Sequence, residues 1–238
     1  MDFAILPSLL AADGAKLGEE LTRVAQSGSD AVHLDIMDAH FVPNLSFGPD
    51  VVRVSRRVCP DLYRHVHLML TRPDSYIDAF ADAGAQTIQI HVEADCDIWE
   101  TLRKIRARGL RSGLVLRPQT PAAVVVPYLR LCDEVLFMTV NPGYGGQSFM
   151  PEVLPHITEL RRYADGQGWR DFAIMVDGGI NYETVELAAA AGANQFVAGS
   201  FLFRQPDMAA AVREMRKRAL LAGSPPPVCH TGMSECSS

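Results

Sequence analysis

Lysine is scarce in this chain of 238 residues: there are three, Lys16, Lys104 and Lys217, all in segments that read as helical. A carbonyl-condensing enzyme working through a strand-end lysine Schiff base therefore has no candidate nucleophile. No stretch is dense in Lys and Arg, and 22 basic against 28 acidic residues leave a net charge of −6. That balance argues against nucleic acid or an anionic membrane as the main partner. No apolar run approaches the roughly 18 residues of a membrane span. The start, MDFAILPSLLAAD, has an acidic second residue, a proline at position 7 and no basic region, and reads as mature structure rather than a signal peptide. Five cysteines (Cys59, Cys96, Cys132, Cys229, Cys236) form no C-x-x-C pair. An odd, widely spaced set suits a reducing cytoplasm better than a disulfide framework. Walker loops, G-x-S-x-G elbows and H-E-x-x-H are also absent, and GYGGQS has Ser148 where a dinucleotide fingerprint needs its last glycine.

What is present is a repeating unit. Hydrophobic residues make up 48% and charged residues 21% of the chain, a globular balance. Short apolar runs at 4–10, 31–37, 65–70, 87–92, 113–116, 134–140, 172–176 and 195–198 each precede a helical pattern. The amphipathic stretches at 16–29, 73–84, 98–109 and 181–192 contain or end on Gly28, Gly84, Gly109 and Gly192, as helix C-termini often do. Strands alternating with helices give βαβ units and a parallel sheet. Eight such units in a chain of this length fit an α/β TIM (β/α)8 barrel, in one domain over 1–222. A doubly wound open sheet would use the same alternation, but the count of eight and the uniform composition favour the barrel. The Pro- and Ser-rich end, 223–238, has no periodicity and reads as a disordered tail.

In such a barrel chemistry collects at the C-terminal ends of the strands. Alternation along a strand puts His33, Asp35 and Met37 on one face, His65, His67 and Met69 on another, and Met175 with Asp177 on a third. Two imidazoles and two carboxylates, His33, Asp35, His67 and Asp177, thus converge at the barrel mouth. They suit a divalent ion such as Zn²⁺, Fe²⁺, Mn²⁺ or Co²⁺. The alternative is a set of interior polar groups satisfied by hydrogen bonds, although two carboxylates in an apolar barrel are costly without a cation. His91 reads more simply as a satisfied interior histidine. Glycines recur after the sixth, seventh and eighth runs, at Gly143, Gly145 and Gly146, at Gly178 and Gly179, and at Gly199 before Ser200. Successive amides in Gly-rich turns make anion nests, and the loops after strands 7 and 8 are a barrel's usual phosphate site.

Pro7-Ser8, HLDIMDAHFVPN at 33–44, HLM at 67–69, HVE at 91–93, VNPGYGGQSF at 140–149, VDGGIN at 176–181 and VAGS at 197–200 stand in the order found in one family. From about residue 5 to about 203 the chain resembles the ribulose-phosphate 3-epimerases. The resemblance implies an isomerase that interconverts D-ribulose 5-phosphate and D-xylulose 5-phosphate through an enediolate. It implies one divalent metal on His33, Asp35, His67 and Asp177, with Asp35 as proton acceptor and Asp177 as proton donor. Ser8 and His67 would contact substrate, and Gly143, Tyr144, Gly145, Gly146, Gly178, Gly179, Gly199 and Ser200 would hold its phosphate end. Met37, Met69 and Met138 would line the reacting carbons, and a homo-oligomer is implied as well. Four positions depart from the family's usual residue: His65 stands for Asp, Met175 for Glu, Arg117 for Asn and Ala39 for Gly. They leave two other readings open: an epimerase of another ketose phosphate such as D-allulose 6-phosphate, and a sugar-phosphate-binding barrel without activity.

Overall fold

The computed structural model of the chain describes residues 3–223. Eight parallel strands run in the order β1-β8-β7-β6-β5-β4-β3-β2. They are β1 (Ala4–Pro7), β2 (Val32–Met37), β3 (Arg64–Met69), β4 (Thr87–His91), β5 (Arg111–Leu116), β6 (Glu134–Met138), β7 (Ala173–Asp177) and β8 (Gln195–Ala198). The outer ring comprises α1 (Leu17–Gln26), α2 (Pro49–Val58), α3 (Ile77–Ala83), α4 (Ile98–Ala107), α5 (Leu154–Gly166), α6 (Tyr182–Ala191), the short α7 (Ser200–Phe203) and α8 (Met208–Gly223). This is the nearly closed TIM barrel that the strand count implies. The tail expected from 223 lies outside the described residues, save Gly223, which ends α8. Among the described residues no helix is long and apolar enough to cross a membrane.

Local sequence sets the element ends. Asn181 caps α6 by accepting from the amides of Glu183 and Thr184, and the Thr184 hydroxyl accepts in turn from the Asn181 amide. Gly84 and Gly192 close α3 and α6 at φ values of 108° and 110°, a left-handed geometry that costs glycine nothing. Two expectations shift. The strand expected over 4–10 ends at Pro7, and a 3₁₀ turn over Leu9–Ala11 follows. The β5–β6 crossover is a 3₁₀ segment, Ala122–Leu131, rather than an α-helix. Pro127 inside it has no amide to donate and clashes with the carbonyl a turn earlier, and the run Val124-Val125-Val126 disfavours helix further.

Alternate residues of each strand face the helices and pack with them into the main core, as Val32, Leu34 and Ile36 do on β2. The other face fills the barrel. Leu6, Val115, Leu136, Met138, Met175 and Val197 pack together on one side of the interior, and the polar residues of β2, β3 and β4 crowd the other.

The seam between β1 and β2 lacks a regular ladder: the pair is linked by the single bridge of Ser8 with His33. Asp30 takes over there. Its carboxylate accepts from the Ile5 amide at 2.8 Å and its own amide donates to Ile5 at 3.1 Å. Arg216 of α8 holds the same carboxylate at 2.7 Å. Two further carboxylates fix the loops that frame the barrel mouth. Asp38 accepts from the amides of His40, Phe41 and Thr71. Glu93 accepts from the Arg117 amide and the Thr120 hydroxyl. Ala39, whose amide donates to the Asn44 carbonyl, sits at φ 60°, a conformation that costs a residue with a Cβ roughly 1–2 kcal/mol.

Two outcomes follow for stability. Asp30→Ala leaves the buried Ile5 amide without its partner and should cost about 2 kcal/mol, read as a Tm drop of about 4–8 °C. Burial opposes ionisation of Glu93 and Asp38, but their hydrogen bonds outweigh it and hold both down at about 2, from ordinary values of 4.5 and 3.8. A depressed carboxyl stabilises above its unfolded value and loses that contribution as pH falls through its folded one. Thermal stability should therefore decline between about pH 4.5 and 2, and the decline in Glu93→Gln should be shallower.

Candidate active site

At the C-terminal end of the barrel lies a cavity of about 470 Å³. Every residue expected to touch substrate lines it except His67: Ser8, Gly143, Tyr144, Gly145, Gly146, Gly178, Gly179, Gly199 and Ser200 are on its wall. So are Asp35 and Asp177, and Met37, Met69 and Met138. His33 and His67 are fully buried beneath the floor. The β6, β7 and β8 loops thus meet as expected, and close packing explains some of their composition. A Cβ on Gly179 would come within 2.5 Å of the Phe149 amide nitrogen, and φ there is 67°. Glycine alone lets the two loops approach this closely.

Under the cavity, His33, Asp35, His67 and Asp177 each offer a ligand atom, and these atoms lie within 4.8 Å of one another. Asp35 is the hub. Its Oδ2 accepts from the Ser8 hydroxyl at 2.6 Å, and its Oδ1 lies 3.0 Å from His67 Nδ1 and 3.3 Å from His33 Nε2. His33 Nε2 is also 3.8 Å from Asp177 Oδ2. Burial pushes the Asp35 carboxyl up, but the facing imidazoles of His33 and His67 outweigh it and hold the group well below the usual carboxylate range. Asp177 meets His33 only at the longer 3.8 Å. Burial first, then the neighbouring Asp35 charge, raise it well above that range. Burial likewise lowers His33 and His67 and favours neutral rings.

These residues fit a divalent cation. Both ring nitrogens of His33 are buried and make no hydrogen bond, although Nε2 sits between two carboxylates, and buried polar atoms are seldom left unsatisfied. A cation satisfies that nitrogen and offsets the repulsion between Asp35 and Asp177 together. The donor set of two neutral imidazoles and two carboxylates is one that Zn²⁺, Fe²⁺, Mn²⁺ and Co²⁺ accept.

Sequence reasoning missed a second polar layer. His65 stacks on His33, with ring centroids 5.1 Å apart, and its Nε2 bonds Glu134 Oε1 across the barrel. Gln89 Nε2 donates to the same oxygen at 2.7 Å. Gly113 makes this contact sterically feasible, since a Cβ there would meet both Gln89 and Glu134 at 2.9 Å. Glu134 thus supplies a buried carboxylate beneath the cluster. Its signal was available: Glu134 alternates with Leu136 and Met138 and so faces inward. His91 is a buried, satisfied interior histidine, as expected, and one of its partners belongs to the cluster: its Nε2 lies 3.0 Å from His67 Nε2. Arg117 reaches back over the mouth, donating to the Phe41 carbonyl at 2.8 Å and stacking 4.3 Å from the Phe41 ring centre. Arg204, which follows α7, is the one Lys or Arg among the cavity-lining residues. Arg23 of α1 donates to the carbonyls on either side of it, those of Phe203 and Gln205.

Comparison with known proteins agrees with this geometry. The sequence profile of the ribulose-phosphate 3 epimerase family matches residues 4–203. Ribulose-phosphate 3-epimerase of Bacillus subtilis is 47% identical over 89% of this chain and 97% of its own length. The Escherichia coli enzyme of the same name is 42% identical over 90% and 95%. Among solved structures, a crystal structure of KGPDC from Streptococcus mutans superposes with a TM-score of 0.70 at 14% identity, covering 93% of this chain and 99% of that one. At that identity the likeness speaks for the barrel alone. By its profile match and by relatives this similar along nearly their whole length, the chain belongs to the ribulose-phosphate 3-epimerase family.

Proposed function

We propose that this protein is a metal-dependent 3-epimerase that interconverts D-ribulose 5-phosphate and D-xylulose 5-phosphate. One observation carries the reading: two carboxyl groups, Asp35 on β2 and Asp177 on β7, line one cavity, and their surroundings push them in opposite directions, Asp35 below the usual carboxylate range and Asp177 above it. Inverting a carbon beside a ketone means removing its proton on one face and returning one on the other. Asp35 accepts the C3 proton; the Ser8 hydroxyl and the His33 and His67 rings around it fix its orientation. Asp177 donates from the far side, giving inversion, and the roles exchange in the reverse direction.

A divalent ion, Zn²⁺, Fe²⁺, Mn²⁺ or Co²⁺, held by His33, Asp35, His67 and Asp177 would supply electrostatic stabilisation of the charge that develops on the substrate's oxygens. Met37, Met69 and Met138 surround the reacting carbons with polarizable groups that carry no exchangeable proton. The glycine turns at 143–146, 178–179 and 199, with Ser200, take the phosphate end on backbone amides. A homo-oligomer in the cytoplasm completes the reading drawn from the resemblance.

The test is turnover of D-ribulose 5-phosphate against D-allulose 6-phosphate. Faster conversion of the pentose is expected; no conversion of it would overturn the proposal. Asp35→Asn and Asp177→Asn should each lower kcat by about 10²–10⁴-fold with far-UV circular dichroism unchanged. Arg204→Ala should raise KM about tenfold with little effect on kcat, and the inhibition constant of inorganic phosphate should rise in parallel.

A further inference from the structure

The chain of side chains Asp35–His67–His91–Glu93 runs from the cavity floor to the β4 loop through three close contacts. Asp35 Oδ1 lies 3.0 Å from His67 Nδ1, His67 Nε2 lies 3.0 Å from His91 Nε2, and His91 Nδ1 lies 3.1 Å from Glu93 Oε2. Both rings are fully buried, and a fully buried imidazole favours its neutral form, with one ring proton. Two protons must therefore serve three contacts, each of which needs a hydrogen, or a cation in its place, between two acceptor atoms. One contact is short of a proton.

Two arrangements are possible. In the first, His67 donates from Nδ1 to Asp35 and His91 from Nε2 to His67, which leaves the bare Nδ1 of His91 against the Glu93 carboxylate. In the second, His91 donates from Nδ1 to Glu93 and His67 from Nε2 to His91, which leaves the bare Nδ1 of His67 facing Asp35. The second places the missing positive charge where the four ligating side chains meet. Glu93 is built to enforce it. Its other oxygen is already engaged by the Arg117 amide and the Thr120 hydroxyl, so its carboxylate is fixed against His91. The Phe41 ring packs on His91 with centroids 4.7 Å apart, and Arg117 braces Phe41.

We infer that Glu93 and His91 are positioning residues that select the His67 tautomer and so make Nδ1 the nitrogen that binds the metal. The inference rests on the metal site proposed above and names the groups that prepare it. Outer hydrogen bonds of this kind orient ligating imidazoles, and their removal costs about 10–100-fold in metal affinity.

The experiment uses Zn²⁺ with the full-length protein. Calorimetry of the chelator-stripped wild type measures its affinity, and ¹⁵N NMR of the histidine-labelled Zn²⁺ form reads the tautomers. Expected are a proton on His67 Nε2 and on His91 Nδ1. Glu93→Leu should bind Zn²⁺ about 10–100-fold more weakly, whereas Glu93→Gln, whose amide oxygen still accepts from His91, should stay within about threefold of wild type. A proton on His67 Nδ1 in the Zn²⁺ form would overturn the inference whatever the variants do. So would wild-type affinity in Glu93→Leu. A wild type that binds no Zn²⁺ would instead defeat the metal site itself.

Discussion

Two carboxyl groups crowd one buried volume at the end of the barrel, and the site depends on how that conflict is resolved. Asp35 and Asp177 present oxygens within 4.8 Å of each other and of two buried imidazoles. Like charges at such range do not both ionise without a compensating cation. The surroundings divide them: Asp35 has Ser8, His33 and His67 around it, whereas Asp177 has burial and the charge of Asp35. The two groups are thereby pushed in opposite directions, which is the division into base and acid that the proposed epimerisation requires. The tautomer chain ending in Glu93 and the Glu134 layer below extend the same bookkeeping of charge deeper into the barrel.

The barrel holds this arrangement with little play. Asp35 and His67 are direct neighbours in the register of β2 with β3, and Ser8 enters through the bridge that links β1 to β2. The Ser8 hydroxyl contact with Asp35 and the closure of the barrel therefore share one seam, which Asp30 and Arg216 pin from the opposite end. Loop geometry is equally constrained on the glycine-turn side of the cavity, where Gly179 lies against the Phe149 backbone. The acidic balance of the chain is no obstacle to the proposed anionic substrate, because Arg204 and the backbone amides of the glycine turns line the cavity.

Much of this was legible in the sequence for definite physical reasons. Period-two alternation located His33, Asp35, His67 and Asp177 on inward faces, and the strand count gave the barrel that brings them together. Glycine turns on successive loops pointed to residues that do line the cavity. The rest depended on contacts across the barrel, which no local pattern encodes. Glu134 alternates inward as clearly as Asp35 does, but only the closed sheet shows that it meets His65, 69 positions away. His91 is the satisfied interior histidine that the sequence suggests, but its partners, His67 and Glu93, lie on a neighbouring strand and in a loop and are not legible locally. The crossover at Ala122–Leu131 is 3₁₀ where strand–helix alternation alone implies an α-helix, because Pro127 and the valine run act locally against the alternation. Arg204 gave no sequence signal, since nothing in its neighbourhood shows that α7 turns it onto the cavity wall.

The central claim is that Asp35 and Asp177 work on opposite faces of one carbon. It is tested most directly by converting unlabelled D-ribulose 5-phosphate in D₂O and analysing C3 of both sugars early in the reaction. The account predicts that each D-xylulose 5-phosphate molecule formed carries deuterium at C3, because its proton comes from Asp177 in exchange with solvent. The remaining substrate should still carry protium. Product that retains the original proton at C3 would show one group acting on both faces, and would contradict the account.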